Sequence, residues 1–247
     1  MFDNREAYRC CHGKPGLTGF TVTVRETNLN IQARTDQTGL RELKSHAVQA
    51  ILKHRQYIET HIQAHPEFAT ALTPLPDPGP APAIVTDMTD GAGIAGVGPM
   101  AAVAGAVAEY VGRELLQLSD EIIVENGGDV FVRSDTDMTF SVYAGQSPLS
   151  MKTGIRVARR EEPFAMCTSS GTLGHSKSFG RADAACVLAR SCALADAAAT
   201  ALGNRVQTPE DLEGAISAGR AMAGIQGIVI IAGKQIGLWG DLQMVRL

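Results

Sequence analysis

Hydrophobic and polar residues alternate with a period of two in pairs of neighbouring segments, which is the pattern of adjacent β-strands. The pairs cover residues 18–26 with 29–35, 121–125 with 129–133, 139–144 with 153–159, and 227–233 with 235–240. The second pair flanks Asn126, Gly127 and Gly128. Asn-Gly turns favour hairpins because their central residues need positive φ.

Between the strand pairs, apolar residues recur at helical spacing. The predicted helices cover residues 40–64, 94–118, 182–203 and 209–219. Thr208, Pro209 and Asp211 supply an N-cap, a first-turn proline and an N3 carboxylate for the last helix. A proline-rich connector at 66–83 separates the first two helices, and either a solvated crossing or a functional lid accounts for a loop of this length.

The order of predicted elements is the same in both halves of the chain. It reads ββααββ over residues 18–133 and again over residues 138–240. The halves share no evident sequence identity, so the duplication depends on element order alone. This order predicts an α+β fold in which one antiparallel sheet layer is covered by helices, with residues 1–247 forming a single domain.

Composition excludes some classes of partner. A net charge of −4 and an aromatic content of 5% argue against nucleic-acid binding. The one membrane-like stretch, residues 94–111, is mostly Ala and Gly, which insert weakly, so it predicts a tightly packed buried helix and no membrane association. The same small residues would allow close packing between subunits, which is compatible with a homodimer.

The five cysteines form no obvious disulfide framework, and this favours a reducing cytoplasm. Cys167, Cys186 and Cys192 lie in or near apolar stretches and are interpreted as small buried hydrophobic residues. The first 16 residues contain no apolar region typical of a secretory signal. Residues 10–12, Cys-Cys-His, lack a second ligand pair for zinc and are interpreted as incidental.

Asp196 and Thr200 are the first candidates for chemistry. They lie one helical turn apart in an Ala-rich segment, so their oxygens share one helix face. Hard oxygen donors suit a divalent cation, although this pair needs further ligands from backbone, water or substrate. The structural alternative is that Asp196 accepts a buried hydrogen bond and Thr200 bonds back to its own helix.

A second candidate is the loop that precedes this helix. Residues 168–171, Thr-Ser-Ser-Gly, and 174–176, Gly-His-Ser, are rich in N–H and O–H donors and suit a bound anion, or else form a polar surface loop. His175 could orient a phosphate or act as a general acid. Arg181 could pair with a phosphate, and Asp183 suits a helix N-terminus. Asn126 and Asp129, around the Gly-Gly turn, could also face a ligand.

Three histidines on the first long helix are a weaker candidate. His61 and His65 have i, i+4 spacing, and His54 lies on the same narrow arc. No carboxylate or cysteine accompanies them, so a solvated helix edge is favoured over a metal site.

Taken together and in order, these segments resemble the ApbE-like flavin-transferase superfamily, once connected with thiamine biosynthesis, and especially a bacterial and archaeal branch of it. The similarity spans about residues 85–240. It includes DGAGIAG at 90–96, ENGGDVFV at 125–132, CTSSG at 167–171 and, most specifically, LADAAATA at 194–201.

The resemblance implies a T-fold-like architecture and a chemistry. Members that are flavin transferases use Mg²⁺ and FAD, and either cleave the pyrophosphate or move FMN onto a Thr or Ser of an acceptor protein. By this resemblance Asp196 and Thr200 would be magnesium ligands, with a backbone carbonyl near Ala95 as a third. The residues lining the dinucleotide would be Asn126, Gly127, Gly128, Asp129, Thr168, Ser169, Ser170 and Gly171.

The chain departs from the transferase pattern at two places. Gly96 and Val97 stand where transferases have Lys-Gly, and the acidic residue expected a turn later is absent. The His-x-x-Asp-Pro-x-Thr-Gly segment is replaced by GHSKSFGRAD, in which His175 and Asp183 are the candidate substitutes. Three hypotheses follow: a magnesium-assisted enzyme acting on FAD or a similar pyrophosphate, a binding or assembly protein that lost transfer, and an enzyme with another substrate.

Overall fold

The computed structural model describes residues 14–170 and 180–247. The candidates Gly171 and His175, and the segment 10–12, lie outside these residues. The strands are β1 Thr18–Val24, β2 Thr27–Ala33, β3 Ile122–Asn126, β4 Asp129–Arg133, β5 Met138–Ser141, β6 Thr153–Val157, β7 Phe164–Ser169, β8 Ala184–Ala189, β9 Ile225–Ala232, β10 Gln235–Gly240 and β11 Gln243–Arg246. The helices are α1 Gln37–Ala64, α2 Glu67–Thr70, α3 Ala83–Ala95, α4 Val103–Leu115, α5 Cys192–Arg205 and α6 Leu212–Arg220.

The strands form two antiparallel sheets. The larger has eight strands in the order β1-β2-β3-β4-β7-β8-β9-β10, and the smaller has the order β11-β6-β5. In each half of the larger sheet, helices lie between two strand pairs: the four helices α1 to α4 lie between β2 and β3, and α5 and α6 lie between β8 and β9. The predicted hairpins over 18–26 with 29–35, 121–125 with 129–133 and 227–233 with 235–240 are confirmed, whereas the predicted order of elements is found only in part.

Alternate residues of the central strands pack into two separate cores. Ile122 and Val124 belong to the core beneath the helices, whereas Ile123 belongs to the core shared with the small sheet. Strands buried on both faces read as continuous apolar runs rather than as alternating ones. The prediction of a single sheet layer was therefore incomplete, because the small sheet covers the face opposite the helices.

The second ββααββ unit uses different strands from those predicted. Residues 139–144 and 153–159 contribute β5 and β6 to the small sheet, and β7 and β8 take their places in the large one. The predicted helix over 182–203 was wrong in its first part, where residues 184–189 form β8. This short Ala-rich run is buried on both faces, and its periodicity does not distinguish such a strand from a helix.

The predicted helix over 94–118 is also divided. α3 ends at Gly96, whose φ of 77° is left-handed, and a 3₁₀ turn over Pro99–Ala102 leads into α4. No single described helix is long and apolar enough to cross a membrane; α3 and α4 meet the length and composition criterion only jointly, with a bend of 105°. The connector at 66–83 contains α2, which buries Phe68.

Replacing Asp36 with alanine is expected to lower stability by about 1 kcal/mol, because its carboxylate caps α1 by accepting bonds from the backbone N–H groups of Thr38 and Gly39. In a chain of this size the melting temperature should fall by about 2–4 °C. Asp77→Ala is the control, since Asp77 caps no helix and accepts a bond from Gly79 in a loop. Equal melting temperatures for the two variants would contradict the assigned cap.

Candidate functional site

The polar segments singled out in the sequence meet at one end of the large sheet. The turn between β3 and β4 lies beside the end of β7, and a Cβ on Gly128 would lie 3.6 Å from the carbonyl oxygen of Thr168. β7 pairs in turn with the start of β8, where Ser169 is opposite Ala185. Antiparallel pairing thus places Asn126–Asp129 next to residues 168–170.

Asp129 is a buried carboxyl group at this end. The backbone N–H of Thr168 and the Cys167 thiol lie beside its carboxyl group and act to lower its pKa. Its Oδ1 has no hydrogen-bond partner among the described residues. Burial raises the pKa of Asp129 well above its ordinary value, and the nearby negative charge of Asp196 raises it further. A buried acid with an unsatisfied oxygen is expected to hold a proton or meet a cation.

Asp196 lies on α5 and faces the same region. Between residues 192 and 203 of α5, only Asp196 and Thr200 are partly exposed, so the helix presents these two oxygen-bearing side chains from a buried surface. Burial raises the pKa of Asp196 to about 7, and hydrogen bonds from the backbone of Gly105 and Ala104 oppose that rise.

The hydrogen bonds to Asp196 come from the first turn of α4. The Gly105 nitrogen lies 2.9 Å from Oδ2 of Asp196, so the structural role considered for Asp196 is present in the fold. A carboxylate offers about four lone-pair positions, and capping by backbone N–H groups therefore leaves room for a further ligand. Asn126 reaches the same turn, since its Nδ2 donates to the Ala104 carbonyl oxygen at 3.0 Å.

Successive side chains of β7 point to opposite faces of the sheet, so the hydroxyl groups of Thr168 and Ser169 lie on different faces. Thr168 directs its hydroxyl to the Cys186 sulfur, on the face of the small sheet, at 3.4 Å. Ser169 lies on the helix face, where a Cβ on Gly203 would be 3.8 Å from its Oγ. Thr168 therefore contributes to the Asp129 environment through its backbone N–H rather than through its hydroxyl.

Ala95 and Asp183 occupy the borders of this region. Ala95 is buried at the C-terminal end of α3. α3 packs closely on α5 at Gly91, where an added Cβ would lie only 2.9 Å from the Leu194 nitrogen. Asp183 precedes β8, and its Oδ2 accepts a bond of 2.7 Å from the Gly233 N–H. This hydrogen bond joins Asp183 to the turn between β9 and β10.

The donors around Asp196 fit a hard divalent cation. Asp196 and Thr200 are partly exposed side chains that carry oxygen donors, and Oδ1 of Asp129 has no hydrogen-bond partner among the described residues. No group of three His, Cys, Asp or Glu side chains in metal-binding arrangement occurs within residues 14–170 and 180–247. His54 instead lies 2.7 Å from Glu114 through its Nε2, in agreement with a structural rather than a metal-binding role.

Glu109 was missed as a contributor to this region. It is 1% exposed, and its Oε2 accepts a 2.7 Å bond from the Cys192 N–H at the start of α5. The available signal was a single acidic residue in the Ala- and Gly-rich stretch 94–111, which is costly to bury without partners. No motif in the sequence indicates which partner Glu109 meets.

Comparisons with known proteins agree with this architecture. The flavinyl transferase ApbE of Pseudomonas stutzeri, in its apo form, superposes with a TM-score of 0.56 at 14% identity, covering 91% of this chain and 94% of that one. The flavin transferase ApbE of Vibrio cholerae gives 0.50 at 14% identity, with coverages of 91% and 97%. By its fold, the chain is an ApbE-like α+β protein.

The family follows from sequence similarity. A family model described as AbpE bacteria matches residues 10–237, and the chain belongs to that family. A UPF0280 protein of Methanococcus aeolicus is 36% identical over 231 residues, which are 91% of each chain. Another, from Methanosarcina acetivorans, is 39% identical over 201 residues, covering 81% of this chain and 79% of that protein. The resemblance to an ApbE-like branch is thereby confirmed.

Proposed function

We propose that the protein binds FAD or a similar pyrophosphate ligand together with Mg²⁺ and processes it by flavin transfer or pyrophosphate cleavage. The observation that carries this proposal is the pair of Asp129 and Asp196, two carboxyl groups with raised pKa values at one end of the sheet. Such a pair favours a cation, and the flavin-transferase names of the structural neighbours suggest which ligand the cation accompanies.

In this proposal α5 supplies the cation ligands. Asp196 and Thr200 hold Mg²⁺ through side-chain oxygens, and the carbonyl of Ala95 is a third ligand. Bound Mg²⁺ would neutralise charge that develops on the pyrophosphate. Asp196 is held for this task by the N–H groups of α4, and Asn126 is held by the Ala104 carbonyl.

The sheet end supplies the contacts to the dinucleotide. Gly127 and Gly128 have φ values of 64° and 111°, which support an exposed backbone turn that can approach a phosphate closely. Asn126, Asp129 and residues 168–171 line the ligand in the proposal. His175 and Asp183 remain the candidates for moving a proton to or from the reacting phosphate oxygen.

We further propose a single T-fold-like domain, a cytoplasmic location and a homodimeric assembly acting on an acceptor protein. The free and buried state of Cys167, Cys186 and Cys192 supports a reducing compartment. Two units in which helices lie between strand pairs stand side by side in one sheet, and this supports the T-fold comparison.

The second candidate function is binding without transfer. It is favoured by the surroundings of Gly96, where the left-handed backbone and the largely buried Val97 supply no cation to pair with a phosphate. In this candidate the protein keeps the ligand site but lacks the cation that the transferases' Lys-Gly would place beside the phosphate.

Incubation of the purified protein with FAD, with and without Mg²⁺, tests the proposal. We expect flavin absorbance to remain with the protein after gel filtration, and FMN or AMP to be released only when Mg²⁺ is present. Magnesium-dependent binding without any product favours the second candidate. Failure to bind FAD under both conditions would remove the proposed substrate class.

A further inference from the structure

Helices α4 and α5 cap each other's N-terminal turns with carboxylates. Asp196 of α5 accepts the Gly105 N–H of α4 at 2.9 Å. In return, Glu109 of α4 accepts the Cys192 N–H of α5 at 2.7 Å. The two contacts run in opposite directions across one interface.

Neither helix satisfies these N–H groups by itself. The N-cap of α4 is Ala102, which has no side-chain acceptor. The N-cap of α5 is Ser191, whose hydroxyl accepts the N–H of Leu194 and leaves that of Cys192 to Glu109. The first N–H groups of a helix have no partner within it, so an external carboxylate is the acceptor that the structure supplies.

The spacing of the contacts sets the register between the helices. Glu109 is four residues after Gly105, and Cys192 is four residues before Asp196, so the links lie about one helical turn apart on antiparallel helices. A Cβ on Gly105 would lie 2.4 Å from the Cys192 carbonyl oxygen and 2.9 Å from the Asp196 Cβ. The backbones therefore touch here, and α5 has little freedom to slide.

We propose that Glu109 is a positioning residue for the cation ligands of α5, an inference that rests on the proposed function. Glu109 holds the first turn of α5, and Asp196 and Thr200 follow one and two turns later on the same rigid helix. A shift of α5 along α4 would move both ligand oxygens relative to Asp129. Arg113, bonded to Oε1 of Glu109, compensates the buried charge that this arrangement requires.

Mn²⁺ binding, followed by electron paramagnetic resonance with no FAD present, tests this role. Glu109→Ala is expected to weaken Mn²⁺ binding at least about 10-fold, as is typical when a residue supporting a metal ligand is lost. Glu109→Gln keeps an oxygen acceptor for Cys192 and should stay within about 3-fold of wild type. Glu109→Asp keeps the charge on a shorter side chain and should fall between them.

Glu114→Ala and Glu114→Gln are the matched controls, since Glu114 lies on the same helix but bonds Lys53 and His54 of α1. All variants are measured well below their melting temperatures, so that loss of folded protein does not imitate loss of affinity. Wild-type Mn²⁺ affinity in Glu109→Ala, or in Glu109→Asp if the alanine variant does not fold, overturns the inference while leaving the proposed function standing. Absence of Mn²⁺ binding by the wild-type protein without FAD overturns this inference, and its absence also with FAD overturns the proposed function.

Discussion

Asp196→Asn is expected to lower the affinity for FAD measured with Mg²⁺ by about 100-fold or more, because loss of a metal ligand costs at least as much as loss of its supporting residues. The asparagine oxygen can still accept the Gly105 N–H, so the cap on α4 is retained. The measurement is a flavin fluorescence titration at fixed Mg²⁺. Thr200→Val should weaken binding less, since it removes a neutral ligand.

The asparagine variant separates binding from folding. Asp196→Ala would remove the cap as well, at a cost of about 1 kcal/mol, and would mix the two effects. Asp36→Asn is the control, because it makes the same chemical change at the cap of α1, away from α5. Unchanged magnesium-dependent affinity in Asp196→Asn would show that the cation ligands lie elsewhere.

Metal-free protein is expected to lose stability as the pH rises from about 4 to 7. The pKa of Asp196 is raised from 3.8 to about 7 in the folded state, so its stabilising contribution is complete below pH 3.8 and is lost as the pH rises through 7. The rise in the pKa of Asp196 corresponds to a loss of at most about 4 kcal/mol in the free energy of unfolding. The melting temperature would then fall by roughly 10 °C. Asp129, whose pKa is also raised, acts in the same direction.

Scanning calorimetry of wild type and Asp129→Asn across this pH range measures the effect. The variant removes one of the two interacting acids, so its melting temperature should depend less on pH. His54 contributes with the opposite sign, because burial lowers its pKa, and it is common to both proteins. Mg²⁺ should stabilise wild type more at pH 8 than at pH 6, since it binds the ionised carboxylates. Parallel pH profiles would contradict the assigned carboxylate pair.

Local pattern was a good guide to the outer elements of the fold. β1, β2 and α1 carry clear periodicities and defined turns or caps, and they form close to where the pattern places them. β8 was mistaken for helix because a strand buried on both faces shows no alternation. The break between α3 and α4 was missed although Gly96 and Pro99 are both helix-ending residues, because the Ala-rich run around them outweighed these signals.

The sequence by itself determined the β1–β2 and β9–β10 hairpins, the Asn-Gly-Gly turn and the one-turn spacing of Asp196 and Thr200, because each depends on neighbouring residues. Only the tertiary structure brought Asp129 beside Asp196, turned the Thr168 hydroxyl away from the helices and joined Glu109 to α5. These relations link residues that are 67, 18 and 83 positions apart. Long-range packing and strand register determine these contacts, and local periodicity predicts neither the packing nor the register.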